Sequence, residues 1–177
     1  MEEQEKIRAA QLIHEKARYY RGRFLNSVAC IEHDIAHILT DYFCTSDPGK
    51  RAIFYEDIAT ATFFSLRRKK DILIKIVQAD YPCYWEENQE VLSAFQKIIE
   101  LRNKLAHSIL DVSGAALARS IKEGIGFTDL DDGRPITEEE FNDWDVKATM
   151  INSCLRDIKR LLPFKQIRPA KAENSKA

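Results

Sequence analysis

Between Phe24 and Tyr42 the apolar residues Phe24, Val28, Ile31, Ile35, Ile38 and Tyr42 recur in alternating steps of four and three. That period belongs to a helix, and a strand cannot gather such residues on one side. Gly22 is the one Gly or Pro in residues 2–45. The spacing therefore predicts a long first helix running to about Phe43, with a kink or start near Gly22. Thr45-Ser46-Asp47-Pro48-Gly49 stops it. With 6 Gly and 5 Pro in 177 residues, the chain holds too little turn chemistry for a many-stranded sandwich or barrel.

The remaining pattern is helical as well. Residues 51–64 read as a short helix. Residues 65–80 read as a second long one, capped by Ser65, with Leu66, Ile72, Leu73, Ile76 and Val77 inward. Tyr81-Pro82 breaks it. A third long helix is expected from about Tyr84 to Leu110, burying Val91, Leu92, Phe95, Ile98, Ile99, Leu105, Ile109 and Leu110. Residues 116–121 and 125–130, joined by Lys122-Glu123-Gly124, resemble the two limbs of a hairpin. Residues 131–135 form a turn. Thr137 with Glu140 forms a capping box, in which each side chain satisfies a free amide of the other's backbone. A last helix runs from there to about Leu162 and ends at Pro163.

The expected fold is all-α: an up-and-down four-helix bundle with a short additional helix and a small β-hairpin insertion at about 115–130. One domain, residues 1–163, would account for it, followed by a disordered basic tail at 164–177. A chain of this length buries about 70% of its unfolded surface, so no disulfide or metal staple is needed.

Charge limits the function classes. The 27 basic and 28 acidic residues leave a net charge of −1, which excludes a protein that holds nucleic acid by bulk charge and leaves room for a local basic groove. The four cysteines, at 30, 44, 83 and 154, form no Cys-x-x-Cys pair and are expected as buried reduced thiols. The first sixteen residues are charged throughout, and no apolar run approaches 18 residues. A cytoplasmic protein without membrane association is expected.

Two charges break the amphipathic rule. On the third long helix, at 100° per residue from Ile98, the apolar side spans roughly 340° through 120°. Arg102 falls near 40°, amid that stripe, while Asn103 and His107 fall near 140° and 180° at its edge. Asn103 and His107, four apart, are neighbours. On the first helix Glu32 lies between Leu25, Leu39 and Phe43. Two misplaced charges of opposite sign are natural partners. An internal Arg102–Glu32 ion pair that sets helix register is one reading, and a functional cleft is the other.

The stretch Arg102-Asn103-Lys104-Leu105-Ala106-His107-Ser108, late in a long helix of an all-α chain, resembles the signature of the HEPN superfamily. That signature is an Arg followed by a polar residue, then a His after four to six intervening positions; here four intervene. Phe24, Ser27, Ile31-Glu32, Ile35, Leu39 and Tyr42-Phe43 resemble the first HEPN helix. The resemblance covers about residues 20–163 and makes the hairpin a lineage-specific decoration. It implies a metal-independent endoribonuclease without cofactors, acting as a homodimer on RNA in defence, as a toxin or in RNA processing. An antitoxin or another regulatory protein would then be a further partner. Arg102, Asn103 and His107 of both chains would line one cleft, with Glu32 and Lys104 in support. The residue chemistry agrees. Imidazole gives and takes protons near neutral pH, and guanidinium forks onto phosphate. A non-catalytic module of the same type, binding RNA, nucleotides or protein, is the alternative. A purely structural helical protein is the third reading.

Other candidates read as structure. His33, His37 and Asp41, four apart, have the spacing of a helical zinc site, yet they lie opposite the apolar stripe. Arg67-Arg68-Lys69-Lys70 suits a solvated helix face better than an RNA guide. Tyr81, Tyr84 and Trp85 suit packing better than base stacking. His14 is given no role.

Overall fold

The computed structural model describes residues 3–44, 47–127 and 135–162, and of residues 119–123 the backbone alone. Six α-helices appear among them: α1 (Glu3–Phe43), α2 (Pro48–Ile53), α3 (Leu66–Asp80), α4 (Pro82–His107), α5 (Gly114–Glu123) and α6 (Glu138–Leu161). A π-helical stretch, Phe54–Ala59, follows α2 directly. The chain is thus mostly helical, as the periodicity requires.

Helix α1 runs unbroken through Gly22 for 41 residues, about 60 Å at 1.5 Å per residue. Asp47 caps α2 by accepting from the amides of Gly49 and Lys50, and Pro48 takes the first helical position, where no amide is needed. Ser65 caps α3 through the Arg68 amide. Pro82 starts α4 as its first residue, so Tyr81 is the whole junction between α3 and α4. Both bonds of the capping box between Thr137 and Glu140 are formed at α6.

The core lies between α1, α3, α4 and α6. Helix α1 packs on the other three, and α4 packs on α3 and α6. Phe24, Val28, Ile31, Ile35 and Ile38 of α1 are buried, as their spacing predicts, together with Leu73 and Val77 of α3 and Leu92, Phe95, Ile98, Ile99 and Leu105 of α4. Each such side chain contributes about 1.5–3 kcal/mol of burial. Ile109, expected in that stripe, is 69% exposed because α4 has ended two residues earlier. Arg23 and Ser27 of α1 both donate to the Asp145 carboxylate of α6, at 3.0 and 3.2 Å. No helix among the described residues is long and apolar enough to cross a membrane.

The hairpin is a correction. Its expected first limb, 116–121, lies inside α5. Ser113 caps this helix through the Ala116 amide, and Ala116 and Leu117 turn inward. Alanine and leucine at helical spacing outweigh the short alternation that suggested a strand. Leu117 packs with Ala9, Ile13 and Leu110, so α5 covers the N-terminal part of α1. Residues 125–127 do take extended form, but they pair by isolated bridges, Ile125 with Ile136 and Phe127 with Leu110. The expected turn at 131–135 lies outside the described residues up to 134, as does the tail 164–177.

Gly124 makes this return possible. Its φ is +118°, and a Cβ there would sit 2.3 Å from the Ile136 carbonyl oxygen. Gly124→Ala is therefore expected to destabilise by more than about 1 kcal/mol, through strain and backbone clash together. Thr137→Ala, which removes one bond of the capping box, should cost about 1 kcal/mol. Chemical denaturation of both variants checks the order; equal, negligible losses would refute the local geometry.

Candidate functional site

The last turns of α4 carry Arg102, Asn103, Lys104 and His107. A cluster of cations at a helix C-terminus meets the negative end of the macrodipole, which favours this composition on structural grounds alone. Asn103, Lys104 and His107 are exposed and Arg102 is half-buried. His107 stands five positions after Arg102, which places the two about 140° apart around the helix. The Arg102 guanidinium donates from Nη1 to Asn103 Oδ1 at 3.0 Å, on the side of the helix that leads to His107. Asn103 thus turns the guanidinium towards the face that carries His107. The bond joins Arg102 to Asn103, and the exposed His107 imidazole lies one turn beyond Asn103 on α4.

Glu32 is not part of this cluster. It accepts from Lys69 Nζ at 2.7 Å, and Lys69 is 2% exposed. The expected pairing of Glu32 with Arg102 is therefore wrong. A helical wheel gives the angle of Arg102 but not which neighbour stands opposite it, and Lys69 of α3 is the cation that reaches Glu32. The basic run 67–70 divides likewise. Arg67 and Arg68 are exposed, whereas Lys69 and Lys70 are buried, Lys70 donating to Gln96 Oε1 at 2.9 Å. Gln96 passes the network on to Glu100, 2.7 Å away. A signal for Lys69 was present: it sits four before Leu73 and three after Leu66, squarely on the stripe of α3. Lysine stems pack well in such places.

Arg21 is a second residue that the pattern could have disclosed. It lies four after Ala17 and three before Phe24, on the apolar stripe of α1. Its Nη1 donates to the Ser108 carbonyl at 3.0 Å. Ser108 is the C-cap of α4, and its own N–H and Oγ–H both go to the Lys104 carbonyl. Orphan carbonyls at the helix end thus gain partners from α1 and from the cap itself.

His33 and His37 meet through their Nε2 atoms at 3.2 Å, and His37 stacks on Tyr55 of the π-helical stretch with ring centroids 4.5 Å apart. Asp41 is drawn to Arg51 instead. Among the described residues no group of three or more His, Cys, Asp and Glu is arranged to hold a metal ion. Burial first, then the neighbouring His33 and Lys159, holds the His37 imidazole below its ordinary pKa. Tyr81 and Tyr84 pack into the core and donate to the carbonyls of Leu161 and Cys154. Trp85 packs beside them. The cysteines correct another expectation: Cys154 is buried, with its thiol pKa raised by that burial, but Cys30 and Cys83 are exposed.

Compared with protein-family models, with curated proteins and with solved structures, the chain finds no match. Its site is therefore defined by its own geometry.

Two outcomes follow. Glu32→Ala strands a buried ammonium and should cost about 3 kcal/mol, whereas Lys69→Met leaves a carboxylate that water can reach and should cost at most about 1 kcal/mol. Equal losses in urea denaturation would contradict the burial asymmetry. For His37 the folded pKa lies below the unfolded value of 6.5, so its contribution is complete above that pH and is lost as pH falls towards the folded value. His37→Phe should flatten the decline in stability between neutral and mildly acid pH; an unchanged slope would exclude His37 as its source.

Proposed function

We propose that the protein is a metal-independent endoribonuclease of HEPN type, working in the cytoplasm as a homodimer. On this reading α1, α3, α4 and α6 form an up-and-down four-helix bundle, and residues 108–137 decorate it. What supports the reading is one observation: a guanidinium held by Asn103 on the same helical end as an exposed imidazole. Lys104, exposed beside them, adds positive charge for a neighbouring phosphate.

The chemistry uses these groups as follows. One His107 imidazole takes the proton of the ribose 2′-OH, and the 2′-oxygen attacks the adjacent phosphorus. The bond from phosphorus to the 5′-oxygen breaks, and an imidazolium returns a proton to that oxygen. The products are a 2′,3′-cyclic phosphate and a 5′-hydroxyl, with no redox change. Arg102 neutralises the crowded phosphate, since guanidinium binds its oxygens in pairs. One histidine serves as base and another as acid, so two copies of the chain meet around a two-fold axis with both α4 ends at one cleft. The biological setting fits defence, toxin action or RNA processing, with an antitoxin as a fitting regulator.

Purified protein should cut single-stranded RNA in EDTA and leave cyclic phosphate ends. His107→Ala should reduce the rate by about 100-fold or more, and Arg102→Ala comparably. Because His107 is exposed, its replacement should shift stability by no more than about 0.5 kcal/mol. In mixtures with excess His107→Ala protein, activity should fall with the square of the wild-type fraction. A linear fall would dismiss the shared site. Cutting that survives His107→Ala would dismiss the chemistry, and RNA binding without any product would leave the non-catalytic module.

A further inference from the structure

A groove of about 760 Å³ opens where α1 passes the end of α4. One face of α1 supplies its cationic side, with His14, Arg18 and Arg21 at steps of four and three. Leu25, Ile109 and Val112 supply an apolar wall, and Ile109 and Val112 are 69% and 43% exposed. Arg21 is already engaged with the Ser108 carbonyl. Arg18 and His14 are exposed and make no hydrogen bond or ion pair among the described residues.

Gly22 lines the same groove, and a Cβ built there meets nothing within 4 Å. Glycine inside a helix costs about 0.5–1 kcal/mol relative to alanine. No kink is gained for that cost, since α1 continues through the position. What the bare position provides is space beside Arg18 and Arg21.

We infer that this groove binds one nucleotide unit, its phosphate on Arg18 and His14 and its base against Leu25, Ile109 and Val112. Fixed positive charge beside an open apolar wall matches an anion with a flat, poorly hydrated body. Ser108, which lines the groove, directly follows His107. The unit therefore belongs to the RNA strand being cut, next to the scissile phosphate. That placement rests on the ribonuclease reading; the binding chemistry does not.

The test uses the full chain and a labelled 2′-O-methyl hexanucleotide, which cannot be cut by its own 2′-hydroxyl, followed by fluorescence anisotropy. Gly22→Leu fills the groove while placing a better helix former in open space, so folding should be retained. Arg18→Glu reverses the charge. Each should weaken hexanucleotide binding by about tenfold, a loss of about 1.4 kcal/mol. Arg68→Glu, an equal charge change on exposed α3 surface, should leave it unaltered. Displacement by 5′-AMP only at far higher concentration supports a strand-bound unit. Displacement by 5′-AMP at equal concentration supports the same chemistry serving a free nucleotide. The inference is overturned if neither groove variant weakens binding, or if polyglutamate displaces the hexanucleotide as well as 5′-AMP does. Groove-dependent binding without cutting would remove the ribonuclease reading and keep the groove. Cutting whose KM is unmoved by both variants would remove the groove and keep the ribonuclease reading.

Discussion

The apolar stripe of the 41-residue α1, from Ala9 to Leu39, has to be covered, and the rest of the architecture answers to that need. Helices α3, α4 and α6 have 15, 26 and 24 residues, and none can match α1 along its length. They enclose its C-terminal part, from Phe24 to Leu39. Ala9 and Ile13 would remain in water without a further element. Helix α5 meets them through Leu117, and the chain can place α5 there only by leaving α4 at His107 and turning back towards the start of α1. The end of α4, the bridged segment 125–127 and the groove are consequences of one long helix that buries its face twice.

Charges on those buried faces follow a consistent rule. Lys69 is enclosed with Glu32, Lys70 is satisfied by Gln96, and Arg21 finds the Ser108 carbonyl. A buried cation without such a partner would cost several kcal/mol, so each of these contacts is a condition of the packing and a poor sign of catalysis. Arg102 differs. Its hydrogen bond goes to Asn103, its neighbour on the same helix, at an end of α4 that reaches solvent. The distinction between structural and available cations therefore lies in whether the contact joins two helices or stays on one exposed helix end, and position on a wheel does not reveal it.

How far the sequence reaches can be judged from these same residues. Period and caps locate four helices well, because hydrophobic spacing and capping are local: Ser65, Pro82 and Thr137 act within a few residues of where they stand, whereas the short helix expected at 51–64 is α2 at Pro48–Ile53 followed by the π-helical stretch Phe54–Ala59. The α5 region is ambiguous by pattern because a six-residue alternating run suits either state; alanine and leucine propensity favours the helix, and Leu117 then packs with Ile13 across the fold. The candidate site was legible as a motif on one helix end, and α4 does carry Arg102, Asn103 and His107 in its last turns. The pairing of Glu32 was not, since four consecutive cations at 67–70 suggest a solvated face when each is read with its neighbours in sequence. Read against the stripe of α3, Lys69 and Lys70 fall inward. The run mixes two exposed and two buried cations, and composition averages over the difference.

The bond from Arg21 to Ser108 ties these levels together. A hydrogen bond from a charged donor contributes about 1.5–3 kcal/mol, and this one joins the middle of α1 to the C-cap carbonyl of α4. The same guanidinium lies 6.0 Å from the Phe127 ring, on the segment that returns from α5. Three separate pieces of chain thus converge on one side chain: the long helix, the helix end that carries His107, and the bridged return. Rotating α4 about its axis would break the contact, so the direction in which His107 faces is set from α1. The groove has Arg21 in its wall and Ser108 at its rim, and it shares that register. The end of α4 and the cationic side of the groove thus share one anchor, while the groove's apolar wall comes from the connection 108–113 that follows it.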